Sequence, residues 1–297
     1  MDLQLTIFTP AYNRAHTLRR LFDSLKYQNL KNFEWLVVDD GSTDNTEEVM
    51  EKLIEESDFP VHYIKQENLG KQRAWNRAVL EAKGILFCCL DSDDTLYSGD
   101  NIKKIFDKYY QFLEDKTIIG FRFLAFSNVK NKFDGAELSK EILVATYFDE
   151  LSKASIHGER IDFFRTIVLK DFLYPEYENV KFIPEIWFYV SIANAGYKIV
   201  YSPEPMRMFF DEDPNNRLSR SSIKKHAFGH FLSRGKVLEV TPIQIWLLNP
   251  LFWLKTLIRF SQTSKYTNQS FMNRRKTAGY LYALLSYPIS MISYQFE

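Results

Sequence analysis

Residues Ile85 to Tyr97 read ILFCCLDSDDTLY, an apolar run that stops at three carboxylates, Asp91, Asp93 and Asp94. A strand that is apolar at consecutive positions has to be covered on both faces, so it belongs inside a sheet flanked by other layers. It meets solvent at its carboxyl end, where open α/β sheets hold their ligands. The acids therefore stand at the mouth of a site. Packing Asp91 beside Asp93 costs Coulomb repulsion, and a hard divalent ion bound through oxygens removes that cost. The segment reads as a metal and diphosphate site. Taken alone, it also reads as a solvated Asp-rich turn that caps the next helix.

The first 95 residues repeat a strand-then-helix rhythm. Leu3 to Thr9 predicts a strand, and Asn13 to Gln28 a helix with Leu18, Leu21, Phe22 and Leu25 at helical spacing. Phe33 to Val38 predicts a second strand, ending in Asp39-Asp40-Gly41-Ser42; Thr43-Asp44 then opens a helix with Glu47 and Glu48 in its first turns. Val61 to Lys65 is a third strand, and Gly70 leads a helix through Lys83 to the break at Gly84. Strands alternating with helices argue a parallel sheet with helices on both faces.

Several residues at these strand ends carry chemistry. Pro10-Ala11-Tyr12 follows the first strand, so Tyr12 can offer an aromatic face to a nucleobase or serve in ordinary packing. Asp39 is placed to accept from a nucleobase N–H or a ribose hydroxyl, while Asp40 is expected to turn the other way into the backbone of the DGS turn. Gly70 leads Lys71 and Arg73 into a helix whose amino end and positive charge suit phosphate or base. A solvated helix face explains Arg73 and Arg77 equally well.

TIFTPAYNR (Thr6 to Arg14), VVDDGSTDNT (Val37 to Thr46), NLGKQRAWNRAVLEAKG (Asn68 to Gly84) and LDSDD (Leu90 to Asp94) resemble, in order and spacing, the successive signatures of family 2 glycosyltransferases of the GT-A fold. VKFIPEIWFYV (Val180 to Val190) resembles the acceptor-side segment of bacterial polysaccharide transferases. The resemblance implies an α/β GT-A fold: a Rossmann-like, mostly parallel sheet flanked by helices, here with a C-terminal helical extension. It implies a nucleotide-sugar site with Pro10, Tyr12, Asp39, Lys71 and Asp91, and Asn76 as scaffold. Asp93 would bind Mn²⁺ or Mg²⁺ across the two phosphates, with Asp91 on the ribose or a metal-bound water, and Asp94 capping the turn. The donor is expected to be UDP-linked. The acceptor is expected to be a hydroxyl of a growing surface polysaccharide or a lipid-linked glycan.

An inverting transfer needs a base for the acceptor hydroxyl. Pro184-Glu185 opens a helix in which Ile186, Val190 and Ala193 form a buried face, and a carboxylate at a helix amino end stays ionised. Glu185 is the expected base; it could also merely complement the helix dipole, and Asp211, Glu212 and Asp213 are the fallback. Trp187 suits either an acceptor platform or core packing. DEDPNNRLSRSS, between Phe210 and Ile223, reads as a loop that closes over the diphosphate with Arg217 or Arg220, or as a plain surface connection.

With 45% hydrophobic content over 297 residues the chain can bury a large core. The expected division is a nucleotide-sugar subdomain over 1–110, an acceptor subdomain over 111–222 and a basic aromatic helical region over 223–297. Cys88 and Cys89, neighbours on one strand, are core residues rather than a disulfide, and five His show no zinc spacing. The amino terminus begins its first strand at once with no secretory pattern, which predicts a cytoplasmic enzyme at the inner face of the cell membrane. Lys and Arg balance Asp and Glu at 38 each, and no nucleic-acid partner is expected. The charge is uneven, however: residues 223–297 hold ten Lys or Arg against Glu239 and Glu297. With Trp246 and Trp253 as anchors, Lys255 and Arg259 on one helix face and Leu251, Leu254 and Ile258 on another, that region predicts peripheral contact with anionic membrane. A C-terminal helical pair packed on the catalytic domain is the other reading. Two other functions fit parts of the sequence. LDSDDTLY matches the DxDxT pattern of haloacid-dehalogenase-like phosphatases, with Asp91 as nucleophile and Asp93 as acid, and a non-catalytic sugar-nucleotide binder would need the same pocket.

Overall fold

The computed structural model describes residues 3–133, 141–152, 158–210 and 222–292. The chain divides into two compact units.

The first unit takes residues up to 145, 155–173 and 198–212, and is built on one sheet. Its opening half follows the sequence rhythm: β1 (Leu5–Ala11), α1 (Ala15–Lys26), β2 (Phe33–Asp39), α2 (Thr46–Glu55), β3 (Val61–Lys65), α3 (Lys71–Glu81) and β4 (Leu86–Cys89). A two-residue strand β5 (Thr95–Leu96) and a short helix α4 (Asn101–Lys104) follow, the latter running on through irregular helical turns to Glu114. Then come β6 (Ile118–Ser127), β7 (Lys132–Phe133) and β8 (Leu143–Ala145). After α5 (Tyr147–Ser152), which belongs to the second unit, β9 (Arg160–Arg165) and α6 (Thr166–Leu169) return to the first. Past α7 (Ile186–Asn194), also of the second unit, β10 (Lys198–Phe209) completes the sheet.

Strand order is β3-β2-β1-β4-β9-β6-β10-β5, with β7 on β6 and β8 on β10. The first four strands are parallel; β9 runs against both β4 and β6, β10 is parallel to β6, and β5 opposes β10. The half of the sheet built from the sequence rhythm, β3-β2-β1-β4, is thus parallel as expected, and the remainder is mixed. Strand β1 runs two residues further than the sequence reading, because Pro10 and Ala11 stay in register with Val38 and Asp39. On α1, Leu18, Leu21, Phe22 and Leu25 are all buried, and Phe22 meets Trp35 and Phe59 at 6.0 and 5.8 Å.

One polar knot sits inside this apolar layer. Glu34 of β2 is buried and accepts from Thr6 Oγ1 at 2.5 Å and from the Lys83 N–H at 2.8 Å; Thr6 Oγ1 in turn accepts from the Gly84 N–H at 2.9 Å. A buried carboxylate is tolerable only when its lone pairs are used in this way. The knot pins the end of α3 and the start of β4 to β1 and β2, and so fixes where the DSDD strand begins.

The second unit comprises α5, residues 174–197 with α7, and α8 (Ala227–Val240), α9 (Ile243–Leu248), α10 (Pro250–Tyr266), α11 (Phe271–Ala278) and α12 (Tyr280–Ile292). Pro242 and Asn249-Pro250 start α9 and α10 as expected, and the Asn249 side chain caps α10 by accepting from the Phe252 N–H at 3.2 Å. Helix α8 lies against α7, α10 and α11, with Phe231 stacked on Phe260 at 5.2 Å. The segment 111–222, expected as one acceptor subdomain, contributes to both units.

One reading of the C-terminal region is corrected here, and part of the basic charge counted there proves to be buried. Trp246 is no surface anchor: it is 4% exposed and stacks on Phe252. The Arg274-Arg275-Lys276 cluster splits, because Arg274 is buried, donates to Ser286 Oγ and the Gln269 carbonyl, and lies 4.2 Å over Tyr287. Arg275 and Lys276 stay exposed.

Gly84 offers a test of the knot. A Cβ there would stand 2.3 Å from the Thr6 backbone nitrogen and 2.4 Å from the Leu5 carbonyl carbon. Gly84→Ala should therefore destabilise the protein by about 1–3 kcal/mol through overpacking, read as a lower urea midpoint at unchanged slope. A midpoint equal to wild type would show that β4 and β1 separate freely at this point.

Candidate active site

The carboxyl ends of β1, β2 and β4 are tied together by side chains from the loops that follow them. Past β1, Asn13 adopts a left-handed φ of 54° and accepts through Oδ1 from the Thr43 N–H at 2.8 Å, while its own N–H donates to Ser42 Oγ at 2.8 Å. The Arg14 N–H reaches Thr46 Oγ1, and Asp44 accepts from the Ala15 N–H and from Thr46. The loops after β1 and β2 are thereby buttoned together. Pro10 lies half-buried at the edge, and Tyr12 projects beyond it, 48% exposed.

Of the two aspartates at the end of β2, Asp39 takes the turn role expected of Asp40. Asp39 takes the DGS turn, accepting from the Ser42 N–H at 2.8 Å, and also accepts from the Tyr63 hydroxyl at 2.5 Å. Burial and the Asp39 carboxylate push the Tyr63 phenol well up, so Tyr63 keeps its proton and donates. Asp40 does not serve that turn. It reaches across to accept from Gln66 Nε2 and from the Leu69 and Gly70 N–H groups at 2.8–2.9 Å. The reason is geometric: Asp39 is still in the β2 ladder beside Lys65, and Asp40, the next residue, faces the start of α3. Gly70 there has φ of 99°, a left-handed value that glycine alone adopts without strain.

Lys71, first residue of α3, donates from Nζ to Asp91 Oδ1 at 2.9 Å. Asp91, its side chain 36% exposed, is pulled two ways. Packing around it favours the neutral acid, but Lys71, Arg207 and Arg14 prevail and hold its pKa at about 2. Asp93 is fixed through its backbone: its carbonyl accepts from Arg20 Nη2 at 2.6 Å, and the Arg20 guanidinium lies 3.6 Å over the Phe210 ring. The Asp93 carboxylate itself makes no hydrogen bond or ion pair among the described residues. Asp94 is not a helix or turn cap. It is buried against Arg207 of β10, with Nε and Nη2 both on Oδ2 at 2.7 and 2.5 Å, and the Arg207 guanidinium also donates to the Arg160 carbonyl. Asp94 and Asp91 hold Arg207 charged in spite of its burial. Strand β5, immediately after Asp94, pairs with β10 at Arg207 and Met208, which brings the two partners together.

The structure thus gathers Pro10, Tyr12, Asp39, Lys71, Asp91 and Asp93 at one edge of the first unit's sheet. Glu185 belongs to the second unit, where it is the exposed residue that precedes α7; Trp187 lies 5.5 Å from Tyr174. Asn76 is buried on α3, as a scaffold residue should be. Arg217 and Arg220, with Asp211, Glu212 and Asp213, lie outside the described residues. Sequence reasoning missed Arg20 and Arg207. The one available signal was an arginine inside the otherwise apolar run Met206 to Phe210, which in a buried strand calls for a buried acid.

The sequence model of glycosyl transferase family 2 matches residues 6–166, through all four motifs and the loops after β1, β2 and β4, while Glu185, Arg207 and Phe210 lie beyond it. The chain belongs to glycosyl transferase family 2. That membership, together with the place of β4 as the fourth strand along the chain where the phosphatase motif follows the first, replaces the phosphatase reading of DxDxT. The chain is 32% identical over 153 residues to glycosyltransferase GlyA of Streptococcus pneumoniae, a match that covers 48% of this chain and 22% of that protein. It is 25% identical over 206 residues to the GalNAc(5)-diNAcBac-PP-undecaprenol beta-1,3-glucosyltransferase of Campylobacter jejuni, covering 66% of this chain and 65% of that one. The chain spans about a fifth of the length of the pneumococcal relative. Among solved structures, residues 1–349 of Staphylococcus aureus TarS in complex with UDP-GlcNAc superpose with a TM-score of 0.66 at 17% identity, over 98% of this chain and 92% of that one. The mannosyltransferase PcManGT of Pyrobaculum calidifontis, in complex with GDP-Man and Mn²⁺, gives 0.56 at 15% identity, over 99% and 88%. The family 2 transferase fold is the GT-A α/β fold expected from the motifs.

The Asp94–Arg207 pair is testable by itself. Arg207→Met leaves a buried carboxylate uncompensated and should cost about 3 kcal/mol or more, whereas adding Asp94→Leu should recover most of that loss. Urea denaturation of both variants reads the difference. A single variant as stable as wild type would remove the pair from the account of this loop.

Proposed function

We propose that this chain transfers a sugar, with inversion, from a nucleotide-diphosphate donor to a hydroxyl of a growing surface polysaccharide or lipid-linked oligosaccharide. The observation that carries the reading is the loop after β4, where the Asp93 carboxylate stands unengaged among the described residues while Lys71, Arg20 and Arg207 surround its backbone and neighbours. Tyr12 and Pro10 at the open edge would hold the nucleobase. Asp39 is fully buried with its oxygens on the Ser42 N–H and the Tyr63 hydroxyl, and would meet a base N–H or ribose hydroxyl as Tyr63 gives way, while Lys71 would shift toward the diphosphate. A UDP-linked donor is favoured by the likeness to TarS, whose structure holds UDP-GlcNAc.

No three His, Cys, Asp or Glu side chains converge as a metal cage among the described residues. Mn²⁺ or Mg²⁺ fits nonetheless, since such ions are held by one or two carboxylates with substrate phosphates completing the shell. Asp93 and Asp91 would hold it. When bound, the ion neutralises charge on the departing diphosphate. Lys71 keeps Asp91 ionised, so its carboxylate is charged at any physiological pH. Arg217 and Arg220 would add positive charge over the diphosphate. Glu185 would take the proton of the acceptor hydroxyl as its oxygen attacks the anomeric carbon. Acceptor chemistry of the glycan type is favoured by the likeness to the Campylobacter glucosyltransferase, and the enzyme would work at the cytoplasmic face of the membrane.

Two variants separate the roles. Asp93→Ala should fold with a wild-type urea midpoint and lose Mn²⁺-dependent hydrolysis of UDP-sugars, followed as UDP release; undiminished hydrolysis would displace Asp93 from the metal. Glu185→Gln should bind UDP-sugar as wild type does in calorimetry and lose transfer by about 10²–10⁴-fold. Full transfer by that variant would leave Glu185 a helix-end residue and move the search to Asp211, Glu212 and Asp213.

A further inference from the structure

Helices α9 and α10 bury Trp246, Leu257 and Phe260 but leave a row of leucines outside. The side of α10 that packs into the second unit carries Thr256, Ser261, Thr263 and Ser264 beside Leu257 and Phe260. Ser261, Thr263 and Ser264 satisfy their hydroxyls on carbonyls one turn back, at 2.6–2.8 Å. Other apolar residues face outward: Leu247, Leu248 and Leu251 are 75%, 67% and 68% exposed, with Ile243 and Leu254 exposed beside them. Ile243 and Leu247 are one turn apart on α9, and Leu251 and Leu254 one turn apart on α10. A soluble helix places its apolar stripe toward the core. Clustered exposed leucines of this kind mark a surface that meets something apolar.

The surrounding charge says what that is. Residues 240–296 contain six Lys or Arg and no Asp or Glu. Lys255 and Arg259, both exposed, lie on α10 next to Leu251 and Leu254 at helical spacing. A second copy of this face would set these like charges against each other. An anionic bilayer matches both properties, taking leucines into the acyl boundary and lysine and arginine heads at the phosphate level. No helix among the described residues is long and apolar enough to cross a membrane.

We propose that the α9–α10 elbow is a wedge that enters the interfacial layer of an anionic membrane, with Leu247, Leu248, Leu251 and Leu254 as the buried surface and Lys255 and Arg259 at the rim. The wedge locates the membrane contact that the charge pattern of the sequence predicts, and moves it from Trp246 to the leucines. It stands apart from the transfer chemistry, so vesicle binding and donor hydrolysis fail or succeed separately.

The full chain should sediment with phosphatidylcholine vesicles that contain phosphatidylglycerol and remain in the supernatant with phosphatidylcholine alone. Leu247→Asp with Leu251→Asp should weaken that binding by more than about tenfold, even at low salt. Lys255→Glu with Arg259→Glu should abolish the part of the binding that high salt removes. Ile167→Asp, at a 72% exposed position of the first unit, is the control and should bind as wild type does. All these positions are on the surface, so urea midpoints and UDP binding should stay at wild-type values. Unchanged vesicle binding by the leucine variant, or a wild-type chain that ignores anionic vesicles, overturns the proposal. So does an oligomer in analytical ultracentrifugation that the leucine variant dissociates, since the occupant would then be a second copy.

Discussion

Three carboxylates within four residues, at the end of a buried strand, would repel one another out of any fixed loop unless cations from elsewhere in the fold met them. Here each is handled differently. Lys71 arrives from the start of α3 and neutralises Asp91; Arg207 arrives from β10 and neutralises Asp94; Arg20, from α1, grips the Asp93 carbonyl and leaves its carboxylate alone. The loop has its shape because three distant elements converge on it. The sheet order that puts β10 beside β5 and α3 ahead of β4 is therefore a condition of the site as much as of the core.

This arrangement sorts residues of one type into different work. Asp94 and Asp40 are both buried and fully used inside the protein, the first against Arg207 and the second on the Leu69 and Gly70 amides. Asp39 is shared between the DGS turn and Tyr63. Asp91 stays ionised through Lys71 but remains partly open. Asp93, held in place by its backbone and unengaged by side chains among the described residues, is the carboxylate with most to give a ligand. Pre-organisation of this kind, with the support rigid and one group left free, is what a site for a charged ligand needs.

The second unit follows a different physical logic. Its helices approach closely through small and hydroxylated residues, as where a Cβ on Gly235 of α8 would fall 2.4 Å from Thr277 Cγ2 of α11, and it buries Arg274 against Ser286 and Tyr287. Packing of that sort leaves leucines over. They collect on α9 and α10 beside a run of sequence that has no acid until its last residue.

By itself the sequence determined the strand and helix rhythm of the first 90 residues, the ligand-bearing edge of the sheet, and the family, because those features are local. Apolar runs, glycine breaks and acid clusters at strand ends are written in consecutive residues. Only the tertiary structure decided that Asp40 serves Gly70 rather than its own turn, that Asp94 belongs to Arg207, and that residues 111–222 divide between two units. Likewise, nothing in the heptad-like spacing of Leu251, Leu254 and Ile258 says whether that face looks inward or out. Long-range pairing and the choice of buried face depend on which elements meet in space, and a sequence of 297 residues does not print those neighbours beside one another.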